Sequence, residues 1–234
     1  MLPEPPVGCI RNCEFCGVDK IEPSFNELTD WPDLPIICDN NLLAASHKHF
    51  DRVIDRLKKH DWCDFNQGID ARLLKPYHAS RFAELKSPVL RLALDSMDYS
   101  DSWEKAFDIL RKAGLPKSSI RSYALIGFDS GPNEAWERCQ WIESHGIKVL
   151  PMWFHPLNAL EKNAVTDDQK LLEWDKYQQG EIMEWHYQRG KKHATKVKNR
   201  GGQKALGWND KERTNIMGWF YKHRGKEGTI GDEF

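Results

Sequence analysis

Short runs of β-prone residues alternate with longer stretches in which apolar residues recur at helical spacing. The first run is Leu34 to Asp39, ending in the polar Asp39-Asn40-Asn41. Ser46 then reads as an N-cap, and Phe50, Val53, Ile54 and Leu57 form one helical face. Cys63 to Ala71 reads as the next strand, with Pro76 opening a helix that reaches Leu85. Val89 to Leu94 is a strand ending at Asp95-Ser96. Ser100 or Asp101 caps a helix with Trp103, Ala106, Phe107 and Leu110 on one side, stopped by Gly114. Ile120 to Ile126 is a strand that ends at Gly127. Pro132 starts a helix with Ala135, Trp136, Cys139 and Ile142 inward, stopped at Gly146. Lys148 to Phe154 is a strand, and a last helix runs from about Asp167 to Tyr187.

Such alternation specifies βα units and a parallel sheet, with ligands at the C-terminal ends of the strands. The expected fold is α/β: a partial (β/α)6 TIM-like barrel, open on one side, with a basic C-terminal extension. Residues 1–160 form the core, 161–190 a C-terminal helix and 191–234 the extension. A strand ahead of the cysteine-rich segment has only Met1 to Gly8 to form from. Three of those eight residues are proline, so that strand is expected to be short or missing.

The 234 residues suit one large domain, and a hydrophobic fraction of 40% is enough to build a core and exclude wholesale disorder. No apolar run approaches a bilayer span, and the chain does not open with a basic stretch followed by an apolar one. The expectation is a cytoplasmic protein with no membrane partner. Charge is unevenly spread. Residues 1 to 187 hold 22 Lys and Arg against 30 Asp and Glu, whereas residues 188 to 228 hold 12 against 3. Basic residues there are interleaved with Trp208, Trp219 and Tyr221. This segment suits either of two roles. It can bind nucleic acid through phosphate contacts and base stacking. Alternatively, Trp208, Trp219 and Phe220 dock onto the barrel and close its open side.

Three of the six cysteines fall within eight residues, as Cys9-Ile10-Arg11-Asn12-Cys13-Glu14-Phe15-Cys16. A C-x3-C-x2-C spacing lets one loop wrap a metal centre, and thiolates suit iron–sulfur clusters or zinc. A closed structural zinc site needs four ligands, and no fourth Cys or His follows at finger spacing. Three ligands on a 4Fe-4S cluster leave one iron open to bind something else. The remaining alternatives are a structural zinc site completed by the distant Cys38 or Cys63, and a zinc-dependent nucleic-acid-binding module without catalysis in which the three cysteines and Cys38 grip the metal. Cys38, Cys63 and Cys139 make no second cluster motif.

The spacing, with an aromatic just before the third cysteine, resembles the signature of the radical S-adenosylmethionine (radical SAM) superfamily, and the resemblance extends over roughly residues 5 to 157. It implies that Cys9, Cys13 and Cys16 hold a 4Fe-4S cluster. It further implies that S-adenosylmethionine chelates the open iron and is cleaved reductively to a 5′-deoxyadenosyl radical, which abstracts hydrogen from a substrate. An external one-electron reductant of flavodoxin or ferredoxin type is then required. By the same resemblance, Phe15, Asp39, Asn40, Asp95, Ser96 and Gly127 contact the cofactor, with Asp39-Asn40-Asn41 in the place of the family's Gly-Gly-Glu stretch. Gln67, Asp70, Arg72 and His155 are expected to line the substrate space, although Asp70 and Arg72 can also pair with each other. A homologue with the same cysteines but no turnover is a third possibility. The substrate itself is not legible.

Overall fold

The computed structural model describes residues 8–188. The basic extension, with both roles expected of it, lies outside the described residues, as does the stretch Met1–Val7. The described chain is an α/β structure built on one five-stranded parallel sheet in the order β1-β2-β3-β4-β5. The strands are β1 (Ile36–Ile37), β2 (Cys63–Phe65), β3 (Pro88–Leu94), β4 (Ile120–Ile126) and β5 (Lys148–Trp153). Sequential order with parallel pairing is what right-handed βα units give when they wind in one direction. The sheet does not close into a barrel. Five strands follow the cysteine loop, as the sequence leads one to expect, and the stretch that could form a strand ahead of it lies outside the described residues except for Gly8, which pairs with no strand.

The helices are α1 (Val18–Ile21), α2 (His47–Leu57), α3 (Pro76–Phe82), α4 (Ser100–Lys112), α5 (Pro132–Ser144), α6 (Asp167–Leu171) and α7 (Lys176–Gln188). The main helices bury the faces that the apolar spacing marks out: Phe50, Val53, Ile54 and Leu57 from α2, Trp103, Ala106, Phe107 and Leu110 from α4, and Ala135, Trp136, Cys139 and Ile142 from α5. On β3, Leu90, Leu92 and Leu94 are fully buried. The intervening Arg91 and Ala93 point to the opposite face of the sheet. Arg91 forms a salt bridge with Asp64 on β2, and its guanidinium lies 5.8 Å from the Tyr123 ring. One face of the sheet is therefore covered by apolar helix packing and the other carries polar groups. The buried Trp103 ties α4 to β4, with Nε1 donating to Ser122 Oγ at 2.9 Å.

Three local expectations are corrected. The strand expected over Cys63 to Ala71 stops at Phe65. Gly68 takes a φ of +100°, which breaks the extended chain, and contact with the sheet resumes only as a bridge between Ile69 and Leu92. The cap expected at Ser100 or Asp101 is not formed: Tyr99 takes the N-cap position of α4 without a side-chain bond, and Ser96 caps the 3-10 turn that runs into the helix, its side chain accepting from the Asp98 amide. The single last helix is split in two, because Glu173 adopts a left-handed φ of +67°. Asp175 then restarts the chain as α7, its carboxylate accepting from Gln178 N while its own amide donates back to Gln178 Oε1. Among the described residues, no helix is long and apolar enough to cross a membrane.

Candidate functional site

The strands β1, β2, β3 and β4 end on the same side, and the segments that leave them wall a cleft of about 570 Å³. The cysteine loop forms its remaining wall. Cys9, Cys13 and Cys16 all line this cleft and are each half-buried. The turn that joins the last two is fixed by Cys16 N donating to the Cys13 carbonyl at 2.9 Å. Short α1 follows directly and closes the loop.

Two elements anchor the loop from outside. Glu22, just beyond α1, accepts from Gly8 N at 2.9 Å and from Asn40 Nδ2 at 2.5 Å through the same oxygen, Oε2. That joins the start of the loop to the segment after β1. Asp70 does the same from the far side of Gly68, accepting from Arg11 Nε at 3.0 Å and from Arg72 Nε at 2.8 Å. Burial pushes the Asp70 carboxyl up, but the Arg72 and Arg11 guanidiniums outweigh it and hold its pKa below the ordinary carboxylate value. Arg72 also lies over the Tyr99 ring, 5.0 Å from its centroid.

Of the residues expected to contact a cofactor, Phe15, Asn40, Asp95 and Ser96 line the cleft. Phe15 packs edge-on against Phe128, with ring centroids 5.6 Å apart. Asp95 follows the last residue of β3, and burial raises its carboxyl to about 6, although Arg138 and Arg72 oppose the shift. Asp39 does not line the cleft. It is 2% exposed, its Oδ1 accepts from Asn41 N at 2.7 Å, and burial holds its carboxyl well above the ordinary value. Gly127 also stands back from the cleft. A Cβ there would lie 2.5 Å from the Trp153 ring, so the absence of a side chain serves β4–β5 packing.

Gln67, Asp70 and Arg72 are brought together in the cleft wall. His155 is not among them, and its Nε2 meets Asn163 Oδ1 at 3.1 Å. The structure adds Arg11, Asn41, Tyr99, Phe128 and Asp129 to the lining. Arg11 had a readable signal, since a residue between two loop cysteines must flank whatever they bind. Tyr99 had none.

The donor set has a definite chemistry. Burial pushes the Cys13 thiol up, while the Arg72 guanidinium beside it favours the thiolate. Cys9 Sγ accepts from Arg11 N at 3.4 Å and from Asn41 Nδ2 at 3.5 Å. Two buried acceptor atoms nearby, Asn41 Oδ1 and Asp39 Oδ2, have no protein partner. Among the described residues, no three His, Cys, Asp or Glu side chains form a group that could hold a metal ion. A cubane cluster asks for something different, because each thiolate takes its own iron at a separate corner. Three thiols from one loop, with N–H donors to Cys9 Sγ, fit such a cluster, and the orphaned acceptors beside them call for a donor group such as an ammonium. The other three cysteines do not extend the set. Cys63 and Cys139 are buried in the core, where desolvation raises both thiols, Cys63 to about 12, and Cys38 does not line the cleft.

Compared with known proteins, the chain matches no family model and no curated protein sequence.

Proposed function

We propose that this chain is a radical SAM enzyme that binds a 4Fe-4S cluster through Cys9, Cys13 and Cys16. The observation that carries the reading is the placing of all three thiols of a C-x3-C-x2-C loop in one half-buried cleft at the C-terminal edge of a parallel sheet. When bound, the cluster supplies one electron for reductive cleavage of S-adenosylmethionine, which yields an adenosyl radical able to take hydrogen from an otherwise unreactive carbon.

The chain's own part is binding, orientation and exclusion of water. The cysteine loop covers one side of the cleft, and Phe15 with Phe128 gives that wall an apolar patch. Asp95, Asp98 and Asp129 follow the ends of β3 and β4 and line the same cleft. Their carboxylates favour a cationic molecule bearing a sulfonium and an ammonium group. The segment after β1 presents Asn40 and Asn41, whose amide oxygens can accept from an ammonium. With Cys38, Cys63 and Cys139 scattered through the fold, the electron must come from an external one-electron donor of flavodoxin or ferredoxin type. The basic segment beyond residue 188 makes a polyanionic substrate such as a nucleic acid the first class to assay.

The test is anaerobic reconstitution with iron and sulfide, followed by incubation with a strong reductant and S-adenosylmethionine. The reading expects four irons and four sulfides per chain and formation of 5′-deoxyadenosine, both lost in Cys13→Ala. Stoichiometric zinc and no bound sulfide would refute it.

A further inference from the structure

Asp70 is the point at which three separate pieces of chain meet beside the cysteine loop. Its Oδ2 accepts from Arg11 Nε at 3.0 Å, and Arg11 lies inside the loop between Cys9 and Cys13. The same oxygen accepts from Asn41 Nδ2 at 3.4 Å, on the segment that follows β1. Its Oδ1 accepts from Arg72 N and Nε, at 3.1 and 2.8 Å. Only 7% of the Asp70 side chain is exposed.

Each of the three donors also reaches a cysteine. The backbone amide of Arg11 and the side-chain amide of Asn41 both donate to Cys9 Sγ. The Arg72 guanidinium lies beside Cys13 and favours its thiolate. A closed ring results, running Cys9, Arg11, Asp70, Asn41 and back to Cys9, with Arg72 branching to Cys13. Arg72 Nη2 also reaches Oδ2 at 3.4 Å, and a carboxylate with five donor atoms on two oxygens is saturated, so it is poorly placed to bind a ligand as well. Its environment suits a group that fixes its neighbours.

We infer that Asp70 is a positioning residue that sets the geometry and the electrostatic potential of the Cys9 and Cys13 sulfurs, acting through Asn41, Arg11 and Arg72. The inference rests on the radical SAM reading and assigns these residues to the cluster's redox poise. Two terms of opposite sign follow. The Asn41 N–H on Cys9 Sγ stabilises the more negative, reduced cluster, so it raises the reduction potential. The Asp70 carboxylate offsets two guanidiniums beside the sulfurs, so it lowers the potential. A residue that only held the fold would affect cluster uptake, with no reason for two neighbours to move the potential in opposite directions.

The experiment is a redox titration, followed by electron paramagnetic resonance, of the full chain reconstituted anaerobically. Wild type is compared with Asp70→Asn, Asp70→Glu and Asn41→Ala. The midpoint is expected to rise in Asp70→Asn, to fall in Asn41→Ala and to return towards wild type in Asp70→Glu, with unchanged iron content. If Asp70→Asn loses iron, whether or not Asp70→Glu keeps it, Asn41→Ala decides: a lower midpoint supports the assignment and an unchanged one overturns it. Full iron with unshifted midpoints in Asp70→Asn and Asn41→Ala also overturns it and leaves the radical SAM reading standing. A wild-type chain that takes up no cluster removes that reading, and this inference with it.

Discussion

Gln169 Nε2 donates to the carbonyl oxygen of Gly127 at 2.7 Å and to that of Phe154 at 3.2 Å, so one buried amide clasps the exits of β4 and β5. Gly127 makes this possible by turning with a φ of +78° directly behind the Trp153 ring. Gly127→Ala combines a left-handed backbone penalty of ~1–2 kcal/mol with overpacking of ~1–3 kcal/mol. A loss of about 2–5 kcal/mol in urea denaturation is expected. A loss under about 0.5 kcal/mol would mean that the ring moves aside at no cost.

His78 sits at the first turn of α3, 3% exposed, with Nδ1 accepting from Lys75 N at 3.2 Å. Desolvation, with His47 and Lys75 nearby, lowers its pKa to about 4. Between the unfolded value of about 6.5 and about 4, the unfolded chain takes up a proton that the folded chain does not. Stability from this group is therefore complete above pH 6.5 and falls as the pH drops towards 4, by at most about 3 kcal/mol. In His78→Gln that part of the acid sensitivity should vanish. Denaturation midpoints at pH 7 and pH 4.5 measure it, and an equal acid loss in both proteins would contradict the assignment.

Asp95 gives the opposite slope. Its folded pKa of about 6 lies above the unfolded value near 3.9, so the folded chain holds the extra proton in that window. The cost of ionising it appears as pH rises from about 4 to 6 and persists above. Asp95→Asn in the cluster-free chain should match wild type at pH 4 and exceed its stability at pH 7 by up to about 3 kcal/mol. A variant equally stable or less stable at pH 7 would show that the carboxylate is better solvated than its position beside β3 implies.

The sequence carried the helix layer well because burial follows a 3.6-residue period that α2, α4 and α5 keep without interruption. It carried the five strands through their short β-prone runs, and in β3 and β4 every second residue is buried. It failed where one backbone angle decides the outcome. Nothing in the composition near Gly68 or Glu173 distinguishes a strand or helix that continues from one that breaks at a positive φ. In the site, the cysteine loop and the Asp70–Arg72 pair were legible from spacing alone. Asp39 and Asn41 were harder to separate, because adjacent polar residues after a strand can turn either way: Asp39 turns inward and Asn41 reaches Cys9. The Gln169 clasp joins positions 42 residues apart and leaves no local trace in the chain.

The central claim is that Cys9, Cys13 and Cys16 hold a 4Fe-4S cluster with one iron open to S-adenosylmethionine. Low-temperature electron paramagnetic resonance of the anaerobically reconstituted, dithionite-reduced chain tests it most directly, recorded with and without S-adenosylmethionine. The account predicts a reduced-cluster signal whose g values shift when S-adenosylmethionine is added, and no such signal in a Cys9→Ala, Cys13→Ala, Cys16→Ala triple variant. A signal that ignores S-adenosylmethionine, or no paramagnetic reduced state in the wild-type chain, would contradict it.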